Sequence, residues 1–273
     1  MAVIRKNIPM NLAGRIQLQI HHFARGTYPS DGNGSLPFNR FFMPLKNPAG
    51  RGCFLTDGRS KYEFVPGNAY FIPLNRPARL RLDDDLEFIS IQFTLELYDG
   101  IDIFMCCNRI REIADPQWSA RAAKIYQDQN DFAASVRLNS LVMDFASFLI
   151  SDMRESDWRY VTRFSEFQRE LDYIQSKNNA LAKITVRELA KVRGLSRETF
   201  SRNFSRVTGI SPKEFLNRLI VKKASHLLCG KGTLKEIAES LGFSSEFYFS
   251  RFFRKQTSMP PGQYRLSCQP HDL

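Results

Sequence analysis

The chain has 273 residues, of which 43% are hydrophobic and 25% charged, and a net charge of +11. That length allows two domains with a core each and leaves no tract too polar to fold. No apolar run reaches the roughly 20 residues a membrane span needs, and no apolar stretch follows the charges of Met1-Ala-Val-Ile-Arg-Lys. A soluble, cytoplasmic chain without membrane association is therefore expected. Five cysteines, an odd number with no C-x-x-C pair, argue against a disulfide framework or zinc site and for reduced thiols.

The charge is unevenly spread. Residues 1–165 carry 20 Lys+Arg against 18 Asp+Glu, whereas residues 166–273 carry 19 against 10. A basic half beside a neutral half points to a polyanionic partner for the basic half.

The neutral half reads as strands. Ile16–His22 alternates with period two, and Phe38–Leu45, Gly52–Thr56, Lys61–Val65, Asn68–Ile72, Arg79–Leu82 and Leu86–Phe93 continue the series. Gly34, Pro48-Ala-Gly50, Asp57-Gly58, Pro66-Gly67 and Pro73–Pro77 punctuate it as turns. About seven short strands predict a sandwich or small barrel. Val65-Pro66-Gly67-Asn68 followed by Tyr70-Phe-Ile-Pro73 resembles the turn and strand of cupin-type barrels, which can enclose one small molecule. A metal-dependent enzyme of that type needs several histidines and a carboxylate around one ion. Only His21 and His22 fall here, and adjacent strand residues point to opposite faces. No catalytic residues, metal ligands or cofactor are predicted. On the last strand Phe88, Ser90 and Gln92 share one face, and Ile89, Ile91 and Phe93 the other. With His22, Arg40, Tyr62, Tyr70 and Arg76, the first set forms the candidate effector site, suited to a polar, sugar-sized molecule. A solvated polar face over an apolar core face accounts for any single one of these residues as well.

Helices follow from Pro116-Gln-Trp118. Leu138, Leu141, Val142, Phe145, Phe148 and Leu149 form an apolar stripe on Asp131–Ser151, half of it to cover the barrel and half available to a second copy in a homodimer. Asp152–Asp157 is the expected linker. A second stripe (Tyr160, Phe164, Phe167, Leu171, Ile174) ends at Ser176-Lys-Asn-Asn179 and should be a scaffold for what comes next. The expected division is 1–115 sensory barrel, 116–156 helical linker and dimerisation region, 157–273 nucleic-acid-binding domain.

That domain contains one pattern twice. Thr185-Val-Arg-Glu188-Leu-Ala190-Lys-Val-Arg-Gly194-Leu-Ser196 matches Thr233-Leu-Lys-Glu236-Ile-Ala238-Glu-Ser-Leu-Gly242-Phe-Ser244 residue for residue, and Phe200-Ser-Arg202-Asn-Phe204 matches Phe249-Ser-Arg251-Phe-Phe253 after one inserted residue. Each copy reads as a helix-turn-helix: a capping box (Thr185/Glu188, Thr233/Glu236), an alanine where helices cross, a glycine for the tight turn, and Ser196 or Ser244 to cap the second helix. Burying Phe200, Phe204 and Val207, or Phe249 and Phe253, turns Arg197, Glu198, Ser201 and Arg202, or Glu246, Phe247, Ser250 and Arg251, outward together. Such a face enters a major groove of double-stranded DNA, where Arg grips guanine bidentately. Between the copies Ser211-Pro212-Lys-Glu214 opens a helix to about Cys229. Its roughly 18 residues at about 1.5 Å each span about 27 Å, close to one DNA turn once the turns at each end are added.

Glu188-Leu-Ala190, Gly194-Leu-Ser196, Phe200-Ser-Arg202-x-Phe204, Thr208-Gly-x-Ser-Pro212-x-x-Phe215-Leu, Ala224-x-x-Leu-Leu228, Ile237-Ala238, Gly242-Phe-Ser244, Tyr248-Phe-Ser-Arg251-x-Phe253 and Pro261-x-x-Tyr264-Arg265 together resemble the DNA-binding domain of the AraC/XylS family of bacterial transcription regulators. The resemblance implies an α+β chain: a cupin-like N-terminal β-barrel with a helical extension, then an all-α domain with two helix-turn-helix motifs joined by a long helix. It implies activation or repression of promoters, RNA polymerase as a partner, and a homodimer whose barrel senses a small molecule, commonly a sugar. Mapped by position, its base-contacting residues fall on Glu198, Ser201 and Arg202, then Glu246, Phe247, Ser250 and Arg251. Two positions depart from the pattern. Ile220 stands where the spacer helix usually carries Arg, which removes a polar or phosphate contact, and Ser258 replaces the usual Gly after the last recognition helix.

Overall fold

The computed structural model describes residues 14–47, 52–128, 131–153, 161–257 and 259–268. Its N-terminal half is two antiparallel sheets. The larger runs β1 (Gln17–Gly26), β8 (Glu87–Tyr98), β3 (Asn39–Lys46), β6 (Ala69–Ile72), β10 (Arg111–Ile113), with β9 (Ile101–Asp102) hairpinned onto β8. The smaller runs β2 (Ser30–Gly34), β7 (Ala78–Leu82), β4 (Phe54–Thr56), β5 (Lys61–Glu63). The expected strands are present. Strand β2 is an addition, since Ser-Asp-Gly-Asn-Gly has no apolar alternation and pairs through its backbone with Ala78–Leu82.

Alternation on β8 gives the larger sheet two unlike faces. Phe88 joins Phe42, Phe64, Tyr70, Leu55 and Leu82 in a core between the sheets. Ile89, Ile91 and Phe93 face the other way, with Phe41, Met43 and Phe71, onto the helices. There α1 (Gln117–Gln127) and α2 (Phe132–Ser151) cover the sheet: the Phe145 ring lies 3.8 Å from Phe41 and 4.6 Å from Trp118, centroid to centroid. Asp131 caps α2 by accepting from the Ala133 N–H. By length and hydropathy alone α2 could cross a membrane, but Leu141, Val142, Phe145 and Leu149 are buried in the core.

The predicted linker lies largely outside the described residues, as does Tyr160. The second apolar stripe is not one helix: a 3₁₀ turn (Arg163–Phe167) leads into α3 (Gln168–Ser176). Phe164 and Phe167 still act as the scaffold, their rings 5.7 and 4.7 Å from Phe204. A 3₁₀ segment (Asn178–Lys183) precedes α4 (Val186–Val192) and α5 (Arg197–Thr208); α6 (Pro212–Leu228) is the spacer; α7 (Leu234–Leu241) and α8 (Glu246–Thr257) form the second unit, and α9 (Pro261–Cys268) closes it. Ile220 is 4% exposed. It fills core where the family pattern has a polar side chain. Ser258 is outside the described residues. The cysteine expectation needs correction: Cys53, Cys106 and Cys107 are thiols, but Cys229, at the end of α6, is disulfide-bonded.

The halves meet along α6. Lys222 reaches back to Glu96 and Asp99 beside the β8–β9 hairpin. Gly100 backs directly onto Leu219, and Phe38 sits between His21 of β1 and Tyr264 of α9.

Candidate nucleic-acid interface and sensor site

Each helix-turn-helix is built from its own local chemistry. Thr185 Oγ1 accepts from the Glu188 N–H at 3.2 Å while Glu188 Oε2 accepts from the Thr185 N–H at 2.7 Å. Thr233 and Glu236 repeat this at 3.2 and 2.8 Å. These reciprocal bonds occupy free donors at each helix start, and the Thr N–H bonds hold both carboxyls below their usual range. Gly194 and Gly242 make the turns with φ of +71° and +87°. At Gly242 a Cβ would lie 3.1 Å from the Ala180 Cα, so the backbone also needs a residue without a side chain there.

Ser196 caps α5, its Oγ accepting from the Thr199 N–H at 3.2 Å. In the second unit the cap is Ser245, not the expected Ser244: Ser245 Oγ accepts from the Tyr248 N–H at 3.4 Å. The inserted residue is absorbed in the turn, so the recognition helices remain in register from cap to core.

Phe200 and Phe204, like Phe249 and Phe253, are buried. Opposite them Glu198 and Arg202 on α5, and Phe247 and Arg251 on α8, are exposed, with Ser201 and Ser250 half-buried beside them; Arg197 and Glu246 are exposed too, but stand three residues before Phe200 and Phe249, on the side of the buried rings. Of the eight predicted residues, six thus share the two helix faces turned away from those rings, and Arg197 and Glu246 are exposed at the helix starts. Neither Arg202 nor Arg251 forms an ion pair among the described residues. Arg193 differs: its Nε lies 2.5 Å from Glu170 Oε1 and its guanidinium 4.4 Å above the Phe167 ring, a structural arginine. Two further basic residues stand beside the first turn. Arg187 and Lys191, one turn apart on α4, join Arg197 around an open concavity of about 430 Å³ at the first turn, where cations could hold a DNA phosphate. A basic i, i+4 pair on the solvated side of a short helix was the available signal.

The sensor candidates separate into two groups. His22, Gln92 and Arg40 stand abreast on β1, β8 and β3, because Gln92 is in register with both of the others. Ser90 is in the next row, and its Oγ accepts from Arg40 Nε at 2.8 Å. Burial, then the Arg40 charge, lowers the His22 pKa. Arg40 has no acidic partner among the described residues, so this end of the barrel interior carries an uncompensated positive charge. Phe88, Tyr62 and Tyr70 do not join this group. Phe88 stacks on Phe42 at 4.7 Å, the Tyr62 hydroxyl donates to the Ile110 carbonyl at 3.1 Å, and the Tyr70 hydroxyl accepts from the Val65 N–H at 3.0 Å with Glu112 2.9 Å away. All three belong to the core, where aromatics fill the space a ligand would need. Arg76 is held outside by the Cys107 carbonyl at 2.9 Å.

A family model described as a helix-turn-helix domain matches residues 189–267. The uncharacterized HTH-type transcriptional regulator YobQ of Bacillus subtilis is 26% identical over 229 residues, 84% of this chain and 86% of that protein. A putative AraC-like transcription regulator of Streptomyces lividans is 39% identical over 82 residues, 30% of this chain and 27% of that protein. Among solved structures, ToxT of Vibrio cholerae shares the fold with a TM-score of 0.60 at 13% identity, covering 93% of this chain and 100% of that one. Two capped helix-turn-helix units on a spacer helix, with these relatives, make the chain similar to AraC-like transcription regulators: it is a transcriptional regulator with a helix-turn-helix DNA-binding domain.

Proposed function

We propose that one chain reads two successive major-groove segments of double-stranded DNA through α5 and α8, and that the sheet domain adjusts this reading in response to a small molecule. The observation that carries the proposal is the equivalence of Arg202 and Arg251, each two residues past a buried phenylalanine (Phe200, Phe249), each exposed, each without an ion-pair partner among the described residues. Spacer α6, with 17 residues, is about 25 Å long at about 1.5 Å per residue, which suits units about one DNA turn apart. The net charge supports the partner, and DNA affinity should fall steeply with salt. Fluorescence anisotropy on duplexes selected from a random pool tests this. Arg202→Ala and Arg251→Ala should each lose about 5- to 150-fold on selected DNA, corresponding to about 1–3 kcal/mol, and much less on random DNA. Wild-type behaviour of both variants on both DNAs would overturn the groove assignment.

The sensed molecule is small and polar and binds at His22, Arg40, Ser90 and Gln92. A sugar or related metabolite is the expectation from family resemblance; the uncompensated Arg40 favours one that carries a carboxylate or phosphate. ToxT has been solved bound to an unsaturated fatty acid and to a substituted butenoic acid, which supports an acidic effector. A thermal-shift screen of sugars, sugar acids and carboxylates against the full chain tests this, with Arg40→Met as the control that should lose the shift. A homodimer through α2 is supported by its exposed stripe, on which Phe132 is 85% exposed and Val136 and Met143 follow. Action in the cytoplasm through RNA polymerase, without catalysis, completes the reading.

A further inference from the structure

The two recognition helices match in frame but not in chemistry. Counted from the buried Phe200 and Phe249, the position two residues on is arginine in both, and the position one residue on is serine in both. Two residues before the phenylalanine, the equivalent side chains are Glu198 and Phe247. Each lies four residues ahead of its arginine, so each shares that arginine's face one helical turn nearer the N-terminus. One turn is about 5.4 Å, and base pairs stack about 3.4 Å apart, which puts Glu198 and Phe247 over the base step beside the one their arginines read.

Neither side chain has a partner that holds it elsewhere. Glu198 makes no hydrogen bond or ion pair among the described residues, and Phe247 is 67% exposed, its one ring contact among those residues being with the edge of Tyr248 at 5.9 Å between centroids. Neither can bind a phosphate: a carboxylate repels it, and a phenyl ring offers no donor. What remains in a major groove is the base edge. There a carboxylate accepts from the exocyclic amine of cytosine, and an apolar group meets the C5-methyl of thymine.

We infer that Glu198 and Phe247 make the two halves of the operator unlike: beside the guanine gripped by Arg202 the first unit selects cytosine, and beside the guanine gripped by Arg251 the second selects thymine. This rests on the groove reading proposed above and specifies which bases it selects.

Selection from randomised duplexes with the full wild-type chain, Phe247→Glu and Phe247→Leu tests it, followed by replacement of each selected thymine with deoxyuridine. All three side chains are solvent-exposed, so melting temperatures should agree. Wild type should return unlike half-elements, and losing the one thymine methyl under α8 should cost about fourfold in affinity. Phe247→Leu should keep the thymine and its methyl dependence. Phe247→Glu should exchange that thymine for cytosine, keep the adjacent guanine, leave the other half unchanged and show no deoxyuridine effect. Selection of unchanged halves by Phe247→Glu, or an equal deoxyuridine effect in all three proteins, overturns the inference. If Arg202→Ala and Arg251→Ala still lose selective binding in that case, the groove reading stands and only the base assignment falls. A Phe247→Glu variant that binds selected DNA as wild type does, with no base preference at that step, assigns the exposed ring to another partner and equally overturns it.

Discussion

Lys222 Nζ on the spacer helix lies 2.5 Å from Glu96 Oε2 on β8, with Asp99 Oδ1 at 2.6 Å. The pair joins two residues 126 positions apart across the boundary between the sheet domain and the DNA-binding domain. Burial opposes the Lys222 charge, but attraction and hydrogen bonds from Glu96 and Asp99 outweigh it and raise the lysine pKa. Glu96 also accepts from the Gly100 N–H at 3.0 Å. The same strand carries Ser90 and Gln92 of the candidate effector site.

Removing one partner of a buried ion pair leaves the other charged and poorly solvated. Lys222→Met should therefore destabilise the chain by about 1–3 kcal/mol, less than a fully buried pair would cost because Asp99 is largely exposed. Adding Glu96→Gln should recover part of the loss. Thermal melts of the single and double variants measure this; equal losses in both would mean the pair does not hold the domains together.

Gly100 is the tightest point of the same boundary. Its φ is +73°, and a Cβ there would fall 1.9 Å from Leu219 Cδ2. Gly100→Ala should cost about 2–3 kcal/mol, combining a backbone conformation alanine rarely adopts with displacement of Leu219. In a Leu219→Ala background the clash disappears and only the backbone cost, about 1–2 kcal/mol, should remain. A double-mutant cycle on melting curves separates the two.

His21 gives the boundary a pH dependence. Burial, then the nearby charges of His226 and Lys222, push its pKa down to about 4. Its ring stacks on Phe38 at 4.1 Å, and its Nε2 lies 3.1 Å from Thr94 Oγ1. Because the folded pKa lies below the unfolded value of about 6.5, the unfolded chain protonates first on acidification. Stability from neutral His21 is complete above about pH 6.5 and is lost as pH falls toward 4, by up to about 2–3 kcal/mol. His21→Gln should be less stable than wild type at pH 7.5, and the gap should narrow or reverse by pH 4.5. A gap independent of pH would show that His21 titrates normally.

The capping boxes are local and should behave locally. Thr185→Ala or Thr233→Ala should each cost about 1 kcal/mol, and because the two sites share no partner, the double variant should cost their sum. Chemical denaturation of the single and double variants measures it.

What was readable in the sequence follows the range of each interaction. The second half was read almost to the residue because caps, turn glycines and buried phenylalanines act within a dozen positions. The cap at Ser245 was missed by one place, since an insertion between Gly242 and Phe249 can be absorbed on either side of Ser244. Strand β2 was missed because Ser30–Gly34 is held only by backbone pairing. Alternation gives the face of a residue but not its depth between two sheets, so it does not separate Tyr62, Tyr70 and Phe88 from Arg40. The partners of Lys222 and Arg193 could not be inferred, because Glu96 and Glu170 are brought to them by tertiary packing alone.

The central claim is that α5 and α8 each place one arginine on a guanine of the same DNA face. Methylation interference at guanine N7, on selected duplexes bound by wild type, Arg202→Ala and Arg251→Ala, addresses it directly. Wild type should show two sensitive guanines about one helical turn apart; Arg202→Ala should erase one of them and Arg251→Ala the other. A single sensitive guanine, or the loss of both in either variant, would contradict the assignment of one base-reading arginine to each unit.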